Sequence, residues 1–139
     1  MRAEPKTSSQ VLYFIQEIKK EKQVLDLCRD MGIMIRKLKE EDAGRSVGVL
    51  AGVFPPELAP KTAKQVPKGY RMPELLVFCG LEDGLLDRFL AEYRRRGIDP
   101  IGLKAVATPH NLFWTVCELT EELEQERAAM QAMSQNREG

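Results

Sequence analysis

A pattern of strand, helix, strand and helix occurs twice along this chain of 139 residues, and few folds accommodate it. The second occurrence is the clearer one. The apolar run 74–79 lies between Pro73 and Gly80, which is typical of a buried strand. Apolar residues then recur at three- and four-residue steps over 81–96, the spacing of one helix face, and Gly97 ends that helix.

A second strand, over 101–107, and a last helix complete this half. Thr108 and Pro109 are predicted to open the helix, because Thr is favoured as an N-cap and Pro at the first helical position. The apolar stripe of this helix ends at Leu123. We therefore predict a second half over 74–129 with a long C-terminal helix, followed by a frayed tail over 130–139.

The first half is ambiguous when it is taken alone, because 11–15 fits either a buried strand or a helix. A shift of 65 residues places Gly32 on Gly97 and 11–13 on 76–78. With two residues added, Lys37 falls on Lys104. This comparison indicates an internal duplication. It predicts strands over 10–16 and 33–39 and helices over 20–31 and 46–52.

These elements predict one compact domain with five segments. They are a disordered N-terminus (1–9), a first half (10–52), a Pro/Lys-rich linker (53–73), the second half (74–129) and the tail (130–139). A linker this long is either mobile or functional, or it is a plain connector. A helix that crosses between two strands makes them parallel. We predict an α/β fold of about four mainly parallel strands with helices packed on the sheet, and the alternative is a ferredoxin-like α+β fold.

Composition limits the classes of partner. The chain is 43% hydrophobic and 30% charged, which is typical of a globular domain. A net charge of zero argues against nucleic acid, and no apolar run is long enough for a membrane span. Residues 1–70 carry 13 basic and 9 acidic residues, whereas 71–139 carry 8 and 12, which leaves a homodimer open. Three widely spaced cysteines are interpreted as reduced thiols, so we expect a cytoplasmic protein.

The turn after the last strand is the first candidate ligand site. In open α/β sheets, ligands lie beyond the carboxyl ends of strands, near helix N-termini. There, Lys104, Thr108, His110 and Asn111 could hold a small anion, and Trp114 could stack on a ring. The structural alternative is that Thr108 caps the helix, Asn111 holds the turn and Trp114 fills the core. Lys104 is then a solvated strand residue.

Cys79 is the thiol candidate, because it ends a strand just before a helix, where a thiolate is stabilised. A buried structural thiol is the alternative. No ligand pair has the spacing of a metal site, and no cofactor is expected. Gly44, Gly48 and Gly52 recur every four residues, which on one helix would form a smooth stripe for close packing.

The run Leu-Lys-Ala-Val-x-Thr-Pro-x-Asn-x-x-Trp over 103–114, together with 76–81, resembles an uncharacterised family of small bacterial proteins. That family is known only as a domain of unknown function. The resemblance covers most of residues 10–127. It implies a bacterial, cytosolic setting and supports the domain boundaries, and it implies no activity.

Three hypotheses for function follow. The first is a non-enzymatic regulatory domain that binds a small anionic ligand or a protein partner. The second is a thiol-dependent enzyme that uses Cys79, and the third is a structural subunit of an assembly. The sequence shows no recognisable set of catalytic residues, which disfavours the enzyme hypothesis.

Overall fold

A computed structural model describes residues 9–58 and 65–138. The strands are β1 (Gln10–Phe14), β2 (Met34–Lys37), β3 (Leu75–Cys79) and β4 (Leu103–Val106). The α-helices are α1 (Ile18–Asp30), α2 (Val47–Leu50), α3 (Asp83–Arg95) and α4 (Val116–Glu138). A 3-10 helix precedes α2 (Glu40–Gly44) and another precedes α4 (Asn111–Phe113).

The four strands form one mixed sheet in the order β2-β1-β3-β4. The outer pairs, β1 with β2 and β3 with β4, are parallel, and the central pair of β1 and β3 is antiparallel. Each outer pair is joined by a crossover helix, which is the connection that parallel neighbours require. The predicted α/β fold is confirmed, and its sheet is not the antiparallel sheet of the ferredoxin-like alternative.

The two halves repeat one order of elements about the centre of the sheet. Leu12 pairs with Val77 there, and these residues occupy equivalent positions in β1 and β3. The alignment of Lys37 with Lys104 is wrong. Tyr13 pairs with Lys37 and its equivalent, Phe78, pairs with Val106, so Val106 matches Lys37. The loop that enters β4 is longer than the loop that enters β2. The added residues therefore increase the offset that aligns β2 with β4.

Helices cover both faces of the sheet. On one face, α1 and α3 pack around side chains that include Val11, Leu76 and Phe89. On the other face, α2 and the start of α4 pack around side chains that include Leu12, Val77 and Leu119. Each strand of the central pair contributes alternate side chains to the two cores, as the period of a strand requires. Within the described residues, no helix combines the length and the apolar character needed to cross a membrane.

The segments predicted outside the two halves are only partly described. Residues 1–8 of the predicted disordered N-terminus and 59–64 of the predicted linker lie outside the described residues. The described end of the linker packs on the body. The Tyr70 hydroxyl lies 2.6 Å from the Thr120 hydroxyl, and the Met72 N–H donates to the Glu40 carboxylate at 2.7 Å.

The last helix begins later than predicted, at Thr115 rather than Thr108. The Thr115 hydroxyl accepts from the Glu118 N–H at 3.1 Å, and the Glu118 carboxylate accepts from the Thr115 N–H at 2.9 Å. This reciprocal pair is a capping box. It satisfies two free donors at the helix start, whereas Thr108 and Pro109 form a turn that leads into the second 3-10 helix.

The end of the chain also differs from the prediction. α4 continues to Glu138, through the segment predicted to be a frayed tail. Residues 124–138 are mostly Glu, Gln, Arg, Ala and Met, which favour helix, and they include neither Gly nor Pro.

The predicted glycine stripe is wrong because no single helix carries the three residues. Gly44 ends the first 3-10 helix, Gly48 lies in α2, and Gly52 follows α2 with a φ of +77°. Only Gly48 permits a close approach, since a Cβ there would overlap the Phe54 ring and lie 3.1 Å from the Leu112 carbonyl oxygen.

Candidate functional site

The turn that carries most of the predicted ligand residues is held together by its own side chains. The Thr108 N–H donates to the Asn111 side-chain oxygen at 2.8 Å, and the Asn111 N–H donates to the Thr108 hydroxyl at 3.1 Å. The Asn111 amide also donates to the Val106 carbonyl at 3.1 Å. The rings of His110 and Trp114 meet edge to face with centroids 5.3 Å apart. Four predicted site residues are therefore neighbours, and two of them maintain the turn.

Lys104 is separated from this turn by the sheet. It pairs with Leu76, whose side chain belongs to the core beneath α1 and α3. Paired residues of neighbouring strands present their side chains to the same face. Trp114 packs against the opposite core, so the structure does not bring Lys104 and the turn into one cleft.

Cys79 has the environment of a structural thiol. It is 3% exposed and belongs to the core beneath α2 and α4. Burial raises the pKa of the Cys79 thiol to about 11, so the thiol is protonated at neutral pH. The nucleophile is the thiolate, and this environment opposes its formation. Among the described residues, no group of three His, Cys, Asp or Glu side chains is arranged to hold a metal ion.

A groove of about 420 Å³ between the start of β4 and the middle of α4 is the second candidate site, and we call it the β4/α4 groove. One side is formed by Gly102 and by Leu103 and Lys104 at the start of β4, so Lys104 borders this groove although it is not part of the 108–114 turn. The other side is a single face of α4, whose lining residues are Leu123, Glu126, Arg127, Met130, Gln131 and Ser134. They are spaced by three and four residues and so lie above one another on the helix.

The groove face of α4 continues the face that packs on the body. Val116 and Leu119 are buried, and Leu123 is half-buried at the edge of the core. Beyond that point the described side chains of α4 are exposed, including Met130 at 71% and Met133 at 61%. The α4 helix therefore exposes two methionines, Met130 and Met133, where the body no longer covers it.

Arg127 crosses the groove to the residue that precedes β4. Its Nη1 atom lies 3.5 Å from the Gly102 carbonyl oxygen, and a Cβ on Gly102 would lie 2.9 Å from that Nη1 atom. The absence of a side chain at Gly102 thus leaves room for the guanidinium to lie on the entrance to β4.

The groove was not predicted, because the structured part of the chain was expected to end at residue 129. A signal was present in the spacing of Leu119, Leu123, Met130 and Met133. These residues occupy a and d positions of a heptad pattern, which indicates a helix that packs along its whole length. Met130 and Met133 fell in the segment predicted to be a frayed tail, so no packing role was predicted for them.

Residues 74–130 match the model of a family described as Domain of unknown function (DUF3783). The match extends from the residue before β3 to Met130 and includes the 108–114 turn and most of the groove face. It confirms, for these residues, the resemblance to an uncharacterised domain family. No curated protein matches the chain significantly, and no solved structure does.

Proposed function

We propose that this chain is a non-enzymatic regulatory domain that binds a protein partner in the β4/α4 groove. The observation that carries this proposal is the exposure of Met130 and Met133, which lie about two to three turns beyond Leu123, where α4 last packs on the core. Methionine is flexible and polarizable, and it is common at surfaces that bind other proteins.

The length of α4 strengthens the case. Its 23 residues span about 35 Å at 1.5 Å per residue, and only the first turns contact the core. An isolated helix shorter than about 12–15 residues is marginal in water, so the outer part of α4 gains most from a partner. Burying a methionine side chain contributes roughly 1.5–3 kcal/mol, which makes this face a favourable place to bind.

A protein partner fits the groove better than a small anion. Leu103, Leu123 and Met130 give the groove apolar walls, and the cation Arg127 already lies against a backbone carbonyl. In the 108–114 turn, the polar groups of Thr108 and Asn111 are engaged with one another.

Two further observations support a binding role in the cytoplasm. Cys79 is protonated at neutral pH, which weakens the thiol-enzyme hypothesis. All three cysteines are buried, and Cys28 and Cys79 form no disulfide, which is usual in a reducing compartment.

Site-specific photo-crosslinking in cells tests the proposal. A photoreactive amino acid at Met130 is compared with the same residue at Ile18, which is 82% exposed but lies on α1 in the other helix layer. We expect discrete protein adducts from position 130 and none from position 18. Adducts of equal yield at both positions, or none at either, would contradict the proposal.

A further inference from the structure

We infer that β2, at one edge of the sheet, carries a second protein-binding surface, which takes an acidic amphipathic helix of another protein. The surface consists of Met34 and Arg36, and we call it the β2 face. Arg36 pairs with Leu12, whose side chain belongs to the core beneath α2 and α4, and Met34 shares its side of the sheet. The inference goes beyond the proposed function, because neither residue lines the β4/α4 groove.

Leu103 in β4 is the residue that matches Met34. Gln10 pairs with Met34. Leu75, the equivalent of Gln10 in the second half, pairs with Leu103. The environments of the matched residues differ, because Leu103 is 3% exposed in a core that includes Leu119 of α4, whereas Met34 is 64% exposed. The second half therefore covers with a helix a position that the first half leaves open.

The two halves differ here because the helix on this side of the sheet is shorter in the first half. Ser46 and Thr115 cap α2 and α4 alike, since the hydroxyl of each accepts from the N–H three residues later. α2 then ends at Leu50, and Gly52 follows with a φ of +77°, a conformation that ends helices. α4 continues instead, and its Leu123 packs on the core that includes the start of β4. The β2 face lacks this part of the helix.

The charge of the β2 face complements a helix of the same kind as α4. Arg36 is exposed, and no ion pair or hydrogen bond holds its guanidinium within the described part of the chain. The part of α4 nearest the body is acidic, with Glu118, Glu121, Glu122, Glu124 and Glu126. On a helix with this pattern, apolar side chains would contact Met34 and a neighbouring carboxylate would contact Arg36. An acidic amphipathic helix therefore fits both residues.

A second copy of this chain is not the source of this helix. In α4, Val116 and Leu119 are buried and Leu123 is half-buried, all against the body of their own chain. The α4 face that packs on β4 is therefore already engaged, and α4 would have to leave its own core to cover a second strand. The occupant is a helix of another protein, whose apolar face is free before it binds.

Fluorescence anisotropy with a labelled peptide of residues 115–134 tests the β2 face. The peptide has the acidic, amphipathic sequence of α4 with its apolar face free, and it is added to the full chain in reducing buffer. Met34→Asp and Arg36→Glu should each raise the Kd of the peptide by about tenfold, because each places a negative charge where the acidic helix lies. Ile18→Asp is the matched control, at a position that is 82% exposed in the other helix layer, and it should leave the Kd unchanged.

A changed peptide tests the apolar contact. Leu119→Ser and Leu123→Ser together in the peptide should weaken binding by at least about tenfold, because they remove the side chains that would contact Met34. Equal binding of the two peptides would overturn the inference. So would the absence of binding up to about 1 mM, or a Kd that neither Met34→Asp nor Arg36→Glu changes.

Two further outcomes would identify a different occupant or a different site. Sedimentation velocity of the full chain should show no dimer that depends on the β2 face. A dimer that Met34→Asp dissociates would make a second copy the occupant and overturn the assignment to another protein. Loss of peptide binding on Met130→Asp, with none on Met34→Asp, would place the peptide in the β4/α4 groove, which would overturn the inference and leave the proposed function standing.

Discussion

Glu74 shows how one carboxylate joins three parts of the chain. Its oxygens accept from the N–H groups of Gln16 and Glu17 before α1, and from the Lys20 ammonium at 2.6 Å. Lys20 also donates to the Pro100 carbonyl at 3.2 Å. The Lys20 side chain is only 10% exposed, so solvent screens its pairing with Glu74 only weakly.

We expect Glu74→Gln to lower the free energy of unfolding by about 1–2 kcal/mol, because a largely buried ammonium loses its counter-ion. Chemical denaturation measures the difference. Glu82→Gln is the matched control, since Glu82 precedes α3 and makes no capping bond with its side chain. An equal effect of the two substitutions would show that Glu74 acts only through net charge.

The same residue predicts a pH dependence. Burial alone raises the pKa of Glu74, but hydrogen bonds from Lys20 and from two backbone N–H groups outweigh it, so the pKa is lowered in the folded protein. The stabilisation of the folded protein by ionised Glu74 is therefore present above the unfolded pKa of about 4.3. It is lost as the pH falls through the pKa of Glu74 in the folded protein. The difference in Tm between wild type and Glu74→Gln should narrow under acid.

Gly48 permits the contact between α2 and the residues before α4. Gly48→Ala would press a methyl group into the Phe54 ring and towards the Leu112 carbonyl, and the backbone oxygen cannot rotate away. We expect a loss of about 1–3 kcal/mol in thermal or chemical unfolding. Gly84→Ala, on α3 with open space around its Cβ, should be neutral or stabilising by up to about 1 kcal/mol. Comparable losses at both positions would refute this account.

At the scale of elements, the start of α4 is set by Thr115. We expect Thr115→Ala to cost about 1–2 kcal/mol, because the N-cap hydroxyl is lost, whereas Thr115→Ser should retain most of the stability. Thr108→Ala should cost less than Thr115→Ala, since Thr108 lies in an exposed turn. Equilibrium denaturation of the three variants gives the order of their free energies of unfolding. A larger loss of stability from Thr108→Ala than from Thr115→Ala would support the helix start predicted at Thr108 and Pro109.

Most elements could be predicted because their signals are local. The apolar run of β3, the stripe of α3 and the caps Gly32 and Gly97 each lie within a few residues. The start of α4 could not be chosen in this way, because Thr108-Pro109 and Thr115-x-x-Glu118 are both good helix signals. Contact with the first half distinguishes them: Ser46 and Thr115 form a bridge, and the Val47 N–H donates to the Trp114 carbonyl at 2.9 Å.

For the candidate site, the sequence placed Thr108, His110, Asn111 and Trp114 together correctly, because they are neighbours in one turn. It could not separate Lys104 from them, since the face that a strand residue occupies depends on register. The groove was missed because its two sides, β4 and α4, are adjacent only after folding.

At the scale of the whole molecule, the central strand pair makes the two halves one body. β1 and β3 pair from Gln10 with Cys79 to Phe14 with Leu75, so no break in the sheet separates the halves. Each core also draws on both halves, with Leu12 and Leu119 in one, and Val11 and Phe89 in the other. Neither half can bury its apolar strand face without the other.

This arrangement predicts a single cooperative unfolding transition. Trp114 is the only tryptophan and reports on the second half by fluorescence, and amide hydrogen exchange in α1 reports on the first. Leu12→Ala, at the centre of the sheet, opens a cavity in a core that the halves share. The free energy of unfolding measured by fluorescence and the one measured by α1 amide exchange should therefore fall by the same amount, about 2–5 kcal/mol. Leu58→Ala, at an exposed position, serves as the control and should leave both unchanged. Leu12→Ala could instead change the free energies of unfolding from tryptophan fluorescence and from the α1 amides by different amounts. The halves would then be separate folding units, and the central strand pair would be a contact between them rather than part of one core.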